Sequence, residues 1–161
     1  MEVVLLKLAG INKTSLVDGF GVNYVVYFQG CSHGCKGCQN PSTHDYNGGY
    51  EITLEELQKD IESCGLITGV TFSGGEPLDQ MADLFALAKW CKEKGYATTL
   101  YTGYKVRFNT GEKDGDFCSI SREAGYFDYI FDGKYDCTKR SYDTPFRGSS
   151  NQRMLVRGID Y

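Results

Sequence analysis

Four times along this chain a short apolar run ends in a cluster of glycine and polar residues. Asn23-Tyr-Val-Val-Tyr-Phe28 leads into Gly30-Cys31, Ile67–Phe72 into Ser73-Gly74-Gly75-Glu76, Tyr96–Tyr101 into Thr102-Gly103, and Tyr126–Phe131 into Asp132-Gly133-Lys134. Helical signals lie between these runs. Thr53-Leu-Glu-Glu56 has the form of a capping box and predicts a helix to about Cys64, stopped by Gly65. From Leu78 to Lys94, Met81, Leu84, Phe85, Leu87, Ala88 and Cys91 recur at three- and four-residue steps, and Gly95 closes the pattern. A short helix is expected around Ser119–Ala124 and a last strand at Met154–Val156, while Lys105–Asp116 reads as loop. Alternating strands and helices predict an α/β fold with a mostly parallel sheet and helical crossovers. At 161 residues the chain falls short of the ~250 that a closed eight-stranded barrel needs, so a partial, open β/α barrel is the expectation. Ligand sites of parallel α/β sheets lie beyond the carboxyl ends of the strands, which places all four polar clusters on one rim.

The length fits a single domain spanning residues 1–161. A net charge of −4 offers no basic stripe to displace counterions from nucleic acid. Residues 1–8, MEVVLLKL, are too short for a signal h-region, and no run approaches the ~20 apolar residues of a membrane span. A soluble, cytoplasmic protein that binds neither nucleic acid nor membrane is expected. In a reducing compartment the seven cysteines do not read as a disulfide framework, because three of them cluster and four are scattered.

The cluster is GCSHGCKGCQNP, residues 30–41, with Cys31, Cys35 and Cys38 at the spacing C-x3-C-x2-C. Thiolates bind soft or borderline metals, and a compact three-cysteine loop can wrap one face of an iron–sulfur cube, leaving one iron open to a small molecule. Zinc is the other option, with His33 or His44 completing a tetrahedron. Ser73-Gly74-Gly75-Glu76-Pro77 at a strand end offers backbone amides and carbonyls that a ligand can approach closely, beside a carboxylate able to accept from an ammonium group. By itself it would be an ordinary strand-to-helix turn with proline at the helix start.

Together these residues resemble the radical S-adenosylmethionine superfamily: Cys31-x3-Cys35-x2-Cys38 its cluster motif, Gly74-Gly75-Glu76-Pro77 its GGEP motif. Asp18-Gly19-Phe20-Gly21 resembles the D-G-P-G entry segment of the glycyl-radical-enzyme activases, with Phe20 in place of proline. The short chain, Gly37 before the third cysteine, and the tail FRGSSNQR (residues 146–153) resemble the activating subunits of anaerobic ribonucleoside-triphosphate reductases. The resemblance implies a [4Fe-4S] cluster on Cys31, Cys35 and Cys38, whose fourth iron is chelated by S-adenosylmethionine. One electron would then cleave the cofactor to methionine and a 5′-deoxyadenosyl radical, which would take hydrogen from a glycine of the large catalytic subunit of the reductase. By the same pattern Ser73, Gly74, Gly75 and Glu76 would face the methionine end and Gly37 and Gln39 the adenine, with Thr102, Asp132 and Lys134 at ribose and carboxylate contacts. A low-potential flavodoxin or ferredoxin is the implied electron donor. Two other classes compete: a small radical enzyme of the 7-carboxy-7-deazaguanine synthase type acting on a free molecule, and a non-enzymatic zinc or electron-transfer module.

Overall fold

The computed structural model describes residues 3–38 and 40–161. Its centre is four parallel strands: β2 (Asn23–Phe28), β4 (Gly69–Gly74), β5 (Ala97–Thr102) and β8 (Tyr129–Asp132). These are the four runs read from the sequence, with ends displaced by up to three residues at β8. Three strands extend the sheet antiparallel: β1 (Leu5–Ser15) beside β2, β3 (Tyr50–Thr53) beside β1, and β9 (Arg153–Val156) beside β8. The seven-stranded order is β3-β1-β2-β4-β5-β8-β9. Among the described residues the end strands β3 and β9 do not pair with each other, so the barrel is partial and open.

Helix α1 (Leu54–Glu62) starts at the expected capping box: Thr53 Oγ1 accepts from Glu56 N and Glu56 Oε2 accepts from Thr53 N, both at 3.0 Å. It buries Leu57 and Ile61. A 3-10 turn at Pro77–Gln80 leads into α2 (Met81–Glu93), which buries Leu84, Leu87, Ala88 and Cys91. Among the described residues the third crossover carries no α-helix. It holds a two-stranded parallel ribbon, β6 (Lys105–Arg107) with β7 (Phe117–Ser119), and a 3-10 turn at Arg122–Tyr126. The short helix expected around Ser119–Ala124 is thus found as a 3-10 turn shifted to Arg122–Tyr126, since only a few residues separate β7 from Gly125, too few for an α-helical nucleus to repay its cost.

The helices pack on one sheet face, where Tyr24, Val26, Phe28, Val70, Phe72, Leu100 and Ile130 join the core. Side chains alternate along a strand. Tyr27, Ser73, Tyr101 and Phe131 therefore face the opposite, concave side, and all four line hollows there. No helix among the described residues is long and apolar enough to cross a membrane.

Candidate cluster and cofactor site

The cysteine loop is fastened to the sheet by backbone bonds at both ends. Gly30 N donates to Thr43 O (2.6 Å) and Cys31 N to His44 O (3.2 Å), closing the loop on its own return. The Gln29 amide clips the same return through Ser42 O (3.2 Å) and Asp45 O (2.6 Å). Gly74 has φ +96°, and a Cβ there would lie 2.4 Å from Phe28 N. At Gly75 a Cβ would lie 2.4 Å from Gly30 O. The two glycines therefore let the end of β4 press against the root of the cysteine loop. Gly75 N donates to Phe28 O and Glu76 N to Gly30 O, each at 2.8 Å.

These bonds change the reading of the GGEP turn. The amides of Gly75 and Glu76 are engaged within the fold rather than free for a ligand, and Glu76 is fully buried. Its carboxylate accepts from four donors: Leu78 N (2.9 Å), Thr102 Oγ1 (2.8 and 2.9 Å), Gly103 N (2.7 Å) and His33 Nε2 (2.7 Å). A buried carboxylate so enclosed joins the ends of β4 and β5 to the cysteine loop. In the structure all the side-chain partners of Glu76 come from the fold itself.

A hollow of about 130 Å³ lies under the loop, lined by Cys31, Cys35, Cys38, Ser73, Gly74, Gly75 and Thr102 together with Tyr101, Phe131, Tyr135 and Gln152. Asn40 N donates to Cys38 Sγ at 3.4 Å. Burial pushes the Cys31 thiol up to about 11 and raises Cys35 too, although the Tyr135 amide and Lys134 pull Cys35 the other way. Half-buried thiols that are costly to ionise alone, as at Cys31 and Cys35, suit sulfurs that become thiolates when iron binds. His44 Nε2 lies 3.3 Å from Cys38 Sγ, a hydrogen bond. Among the described residues no three His, Cys, Asp or Glu side chains converge to hold a single ion. Thiolates spread around a hollow fit a cluster, whose irons are ligated one by one, better than one tetrahedral zinc.

The remaining expected residues divide. Asp132 is fully buried, but its carboxylate accepts from Arg153 Nε (2.8 Å) and Nη2 and from Val106 N (2.7 Å), and it does not line the hollow. In the structure it clips β6 and β9 to the end of β8. Lys134 is paired with Asp116 at 2.8 Å and lines an adjacent pocket of about 320 Å³, not the hollow itself. Gly37, with φ +74°, is packed near Tyr135 and Cys137 outside the hollow's lining. Gln39 lies outside the described residues.

Sequence reasoning did not single out Tyr101 and Phe131 as wall residues, missed Tyr135, and met Gln152 only within the tail expected to border the site or the docking face. Strand periodicity could have found the first two, which stack on the concave face with centroids 4.7 Å apart. It also missed Asp79, which accepts from Tyr46 Oη (2.6 Å), Tyr104 Oη (3.1 Å) and Lys113 Nζ (2.9 Å). Burial alone would raise its pKa, but these donors outweigh burial and hold it below the usual carboxylate range.

A larger cleft of about 710 Å³ continues from the hollow, sharing Cys38, Ser73, Tyr101, Tyr135 and Gln152 with it. Its far wall is Asp18 from the D-G-F-G segment and Phe146, Arg147 and Gly148 from the tail. Gln152 organises that tail by accepting from Gly148 N (3.0 Å) and Ser149 N (3.1 Å) and donating to Gly133 O (2.9 Å). Phe146, at φ +61°, packs edge-on against Phe20 with centroids 4.7 Å apart. The residue that stands in place of proline thus ties the entry segment to the tail.

The family described as "4Fe-4S single cluster domain" matches residues 17–155. A pyruvate formate-lyase-activating enzyme from Clostridium pasteurianum is 43% identical over 111 residues, 63% of this chain and 45% of that protein. The pyruvate formate-lyase 1-activating enzyme of Escherichia coli K12 is 34% identical over 109 residues, 44% of its length. The chain thus spans less than half the length of these two relatives. The anaerobic ribonucleoside-triphosphate reductase-activating protein of phage T4 is 33% identical over 154 residues, 89% of this chain and 90% of that one. Among solved structures, QueE from Escherichia coli superposes with a TM-score of 0.55 at 16% identity, covering 78% of this chain and 69% of that one, a likeness of fold.

Proposed function

This chain belongs to the 4Fe-4S single cluster family and, within it, to the radical S-adenosylmethionine activases of glycyl-radical enzymes, and from that premise we propose that it activates an anaerobic ribonucleoside-triphosphate reductase. The observation that carries the choice of partner is coverage. The phage reductase-activating protein matches almost end to end, whereas the pyruvate formate-lyase activases match over less than half their length.

In this reading Cys31, Cys35 and Cys38 hold the [4Fe-4S] cluster, and Ser73, Gly74, Gly75 and Thr102 flank the space for S-adenosylmethionine. By the family pattern Gly37 and Gln39 would lie near the adenine. Lys134 adds positive charge nearby, consistent with its pull on the Cys35 thiol. When bound, the cluster and cofactor supply one-electron chemistry that ends in removal of hydrogen from a glycine of the partner. The chain's own residues do the rest. Tyr101, Phe131 and Tyr135 wall the hollow and limit water, and the connected cleft between Asp18 and the 146–148 tail leaves room for a partner segment. A flavodoxin or ferredoxin in the cytoplasm is the proposed electron donor.

The test mixes the reconstituted protein, anaerobically and with S-adenosylmethionine and a reductant, with the large subunit of an anaerobic ribonucleotide reductase or with pyruvate formate-lyase. A glycyl-radical EPR doublet on the reductase alone is the expected result. A doublet on pyruvate formate-lyase alone would overturn the choice of partner.

A further inference from the structure

His33 sits midway between Cys31 and Cys35, yet it is not an exposed loop tip. Its side chain is 7% exposed, and Nε2 lies 2.7 Å from Glu76 Oε1. The ring meets Tyr104 edge-on, with centroids 4.6 Å apart. A Cβ at position 103 would fall 2.5 Å from the imidazole, so Gly103 leaves the room the ring occupies. A carboxylate only accepts, so the donors around Glu76 place a proton on Nε2 of His33. Three of the four donors, Leu78, Thr102 and Gly103, come from the β4 and β5 ends, and only His33 comes from the cysteine loop.

We propose that His33 is a positioning residue for the cluster: its imidazole, anchored on buried Glu76, fixes the loop that presents Cys31 and Cys35. This rests on the cluster reading of the site. Outer contacts that orient metal ligands strengthen the hold on the metal, and their loss typically costs about 10–100-fold in affinity. Releasing the imidazole frees the loop and loosens its grip on the cluster. Among the described residues the network contains no other tie from the loop side chains to Glu76, so their neighbours do not replace it.

The experiment compares wild type, His33→Leu and His33→Gln, each anaerobically reconstituted. Loss of iron to a chelator is followed over time, and hydrogen exchange of residues 30–38 is measured in the cluster-free proteins. The Gln side-chain amide reaches the place of Nε2 and still donates to Glu76, whereas Leu fills the volume without a donor. Expected for His33→Leu is iron loss faster by about tenfold, with faster exchange in the loop. His33→Gln is expected to return most of the wild-type behaviour. A His33→Leu variant with the wild-type iron loss and exchange overturns the proposal, as does a His33→Gln variant as displaced as Leu. If His33→Leu is not recovered folded, His33→Asn, too short to reach the carboxylate, takes its place with the same outcomes. A wild-type protein that loads no cluster would instead overturn the reading of the site itself.

Discussion

Replacing Asp132 with asparagine separates a structural carboxylate from a ligand contact. In the structure the side chain is buried and receives Arg153 through two nitrogens and Val106 N, joining β8 to β9 and β6. An asparagine side chain in its place would keep one acceptor and turn an N–H toward the remaining donors. A buried donor left without its partner costs about 1–3 kcal/mol. Arg153 is half exposed and regains water, so the charge contributes only about 0–1 kcal/mol more. The sum of about 1–4 kcal/mol is a large fraction of the ~5–15 kcal/mol that holds a domain folded. At about 2–4 °C per kcal/mol for a chain of this size, Asp132→Asn should lower Tm by roughly 2–16 °C. Thermal unfolding of the cluster-free protein reads the loss, and equilibrium binding of S-adenosylmethionine to the loaded protein reads the site. The expected pattern is a clear drop in Tm with binding retained. A variant that melts like wild type but no longer binds the cofactor would refute the reasoning and return Asp132 to the site.

Gly75→Ala should act in the opposite way on the loop, because its Cβ would meet Gly30 O at 2.4 Å and Thr43 O at 2.9 Å, both backbone. Overpacking of about 1–3 kcal/mol would fall on the cysteine loop and reduce iron retained per chain, and full loading after reconstitution would count against the account. Asp128 gives a pH-dependent prediction. Burial alone would raise its pKa, but Lys92, Arg157 and Thr98 N outweigh burial and hold it below the usual range. Its contribution is therefore present above the unfolded value near ~3.9 and is lost as pH falls through the lower folded value. Asp128→Asn should be less stable than wild type at neutral pH, with the gap closing in acid; urea unfolding that gives a constant gap between pH 7 and pH 3 would show the argument to be wrong.

The central sheet was legible because buried parallel strands read as continuous apolar runs, as in Asn23–Phe28, and because glycine marks their ends. The last two residues of β4 were not, since Ser73-Gly74 reads as turn until β2 supplies partners in Tyr27 and Phe28. β1 went unread because its pairing with β2 is interrupted by register shifts between Leu8 and Gly10 and between Asn12 and Ser15, which break the two-residue alternation. β3 is a short edge strand, half of it exposed, and carries little apolar signal. In the site, the three cysteines and the paired glycines were visible as motifs. The fate of Glu76 and Asp132 was not, because which donors surround a carboxylate depends on residues as distant as His33 and Arg153. Motif spacing locates such groups at the rim without saying whether they face the ligand or the fold.

The most direct test of the central claim is an EPR spectrum of the anaerobically reconstituted, dithionite-reduced protein with and without S-adenosylmethionine. The account predicts a [4Fe-4S]+ signal that changes when the cofactor is added and disappears in a Cys38→Ser variant. A bound zinc ion, or a cluster whose spectrum ignores S-adenosylmethionine, would contradict it and leave Cys31, Cys35 and Cys38 as a structural or electron-transfer site.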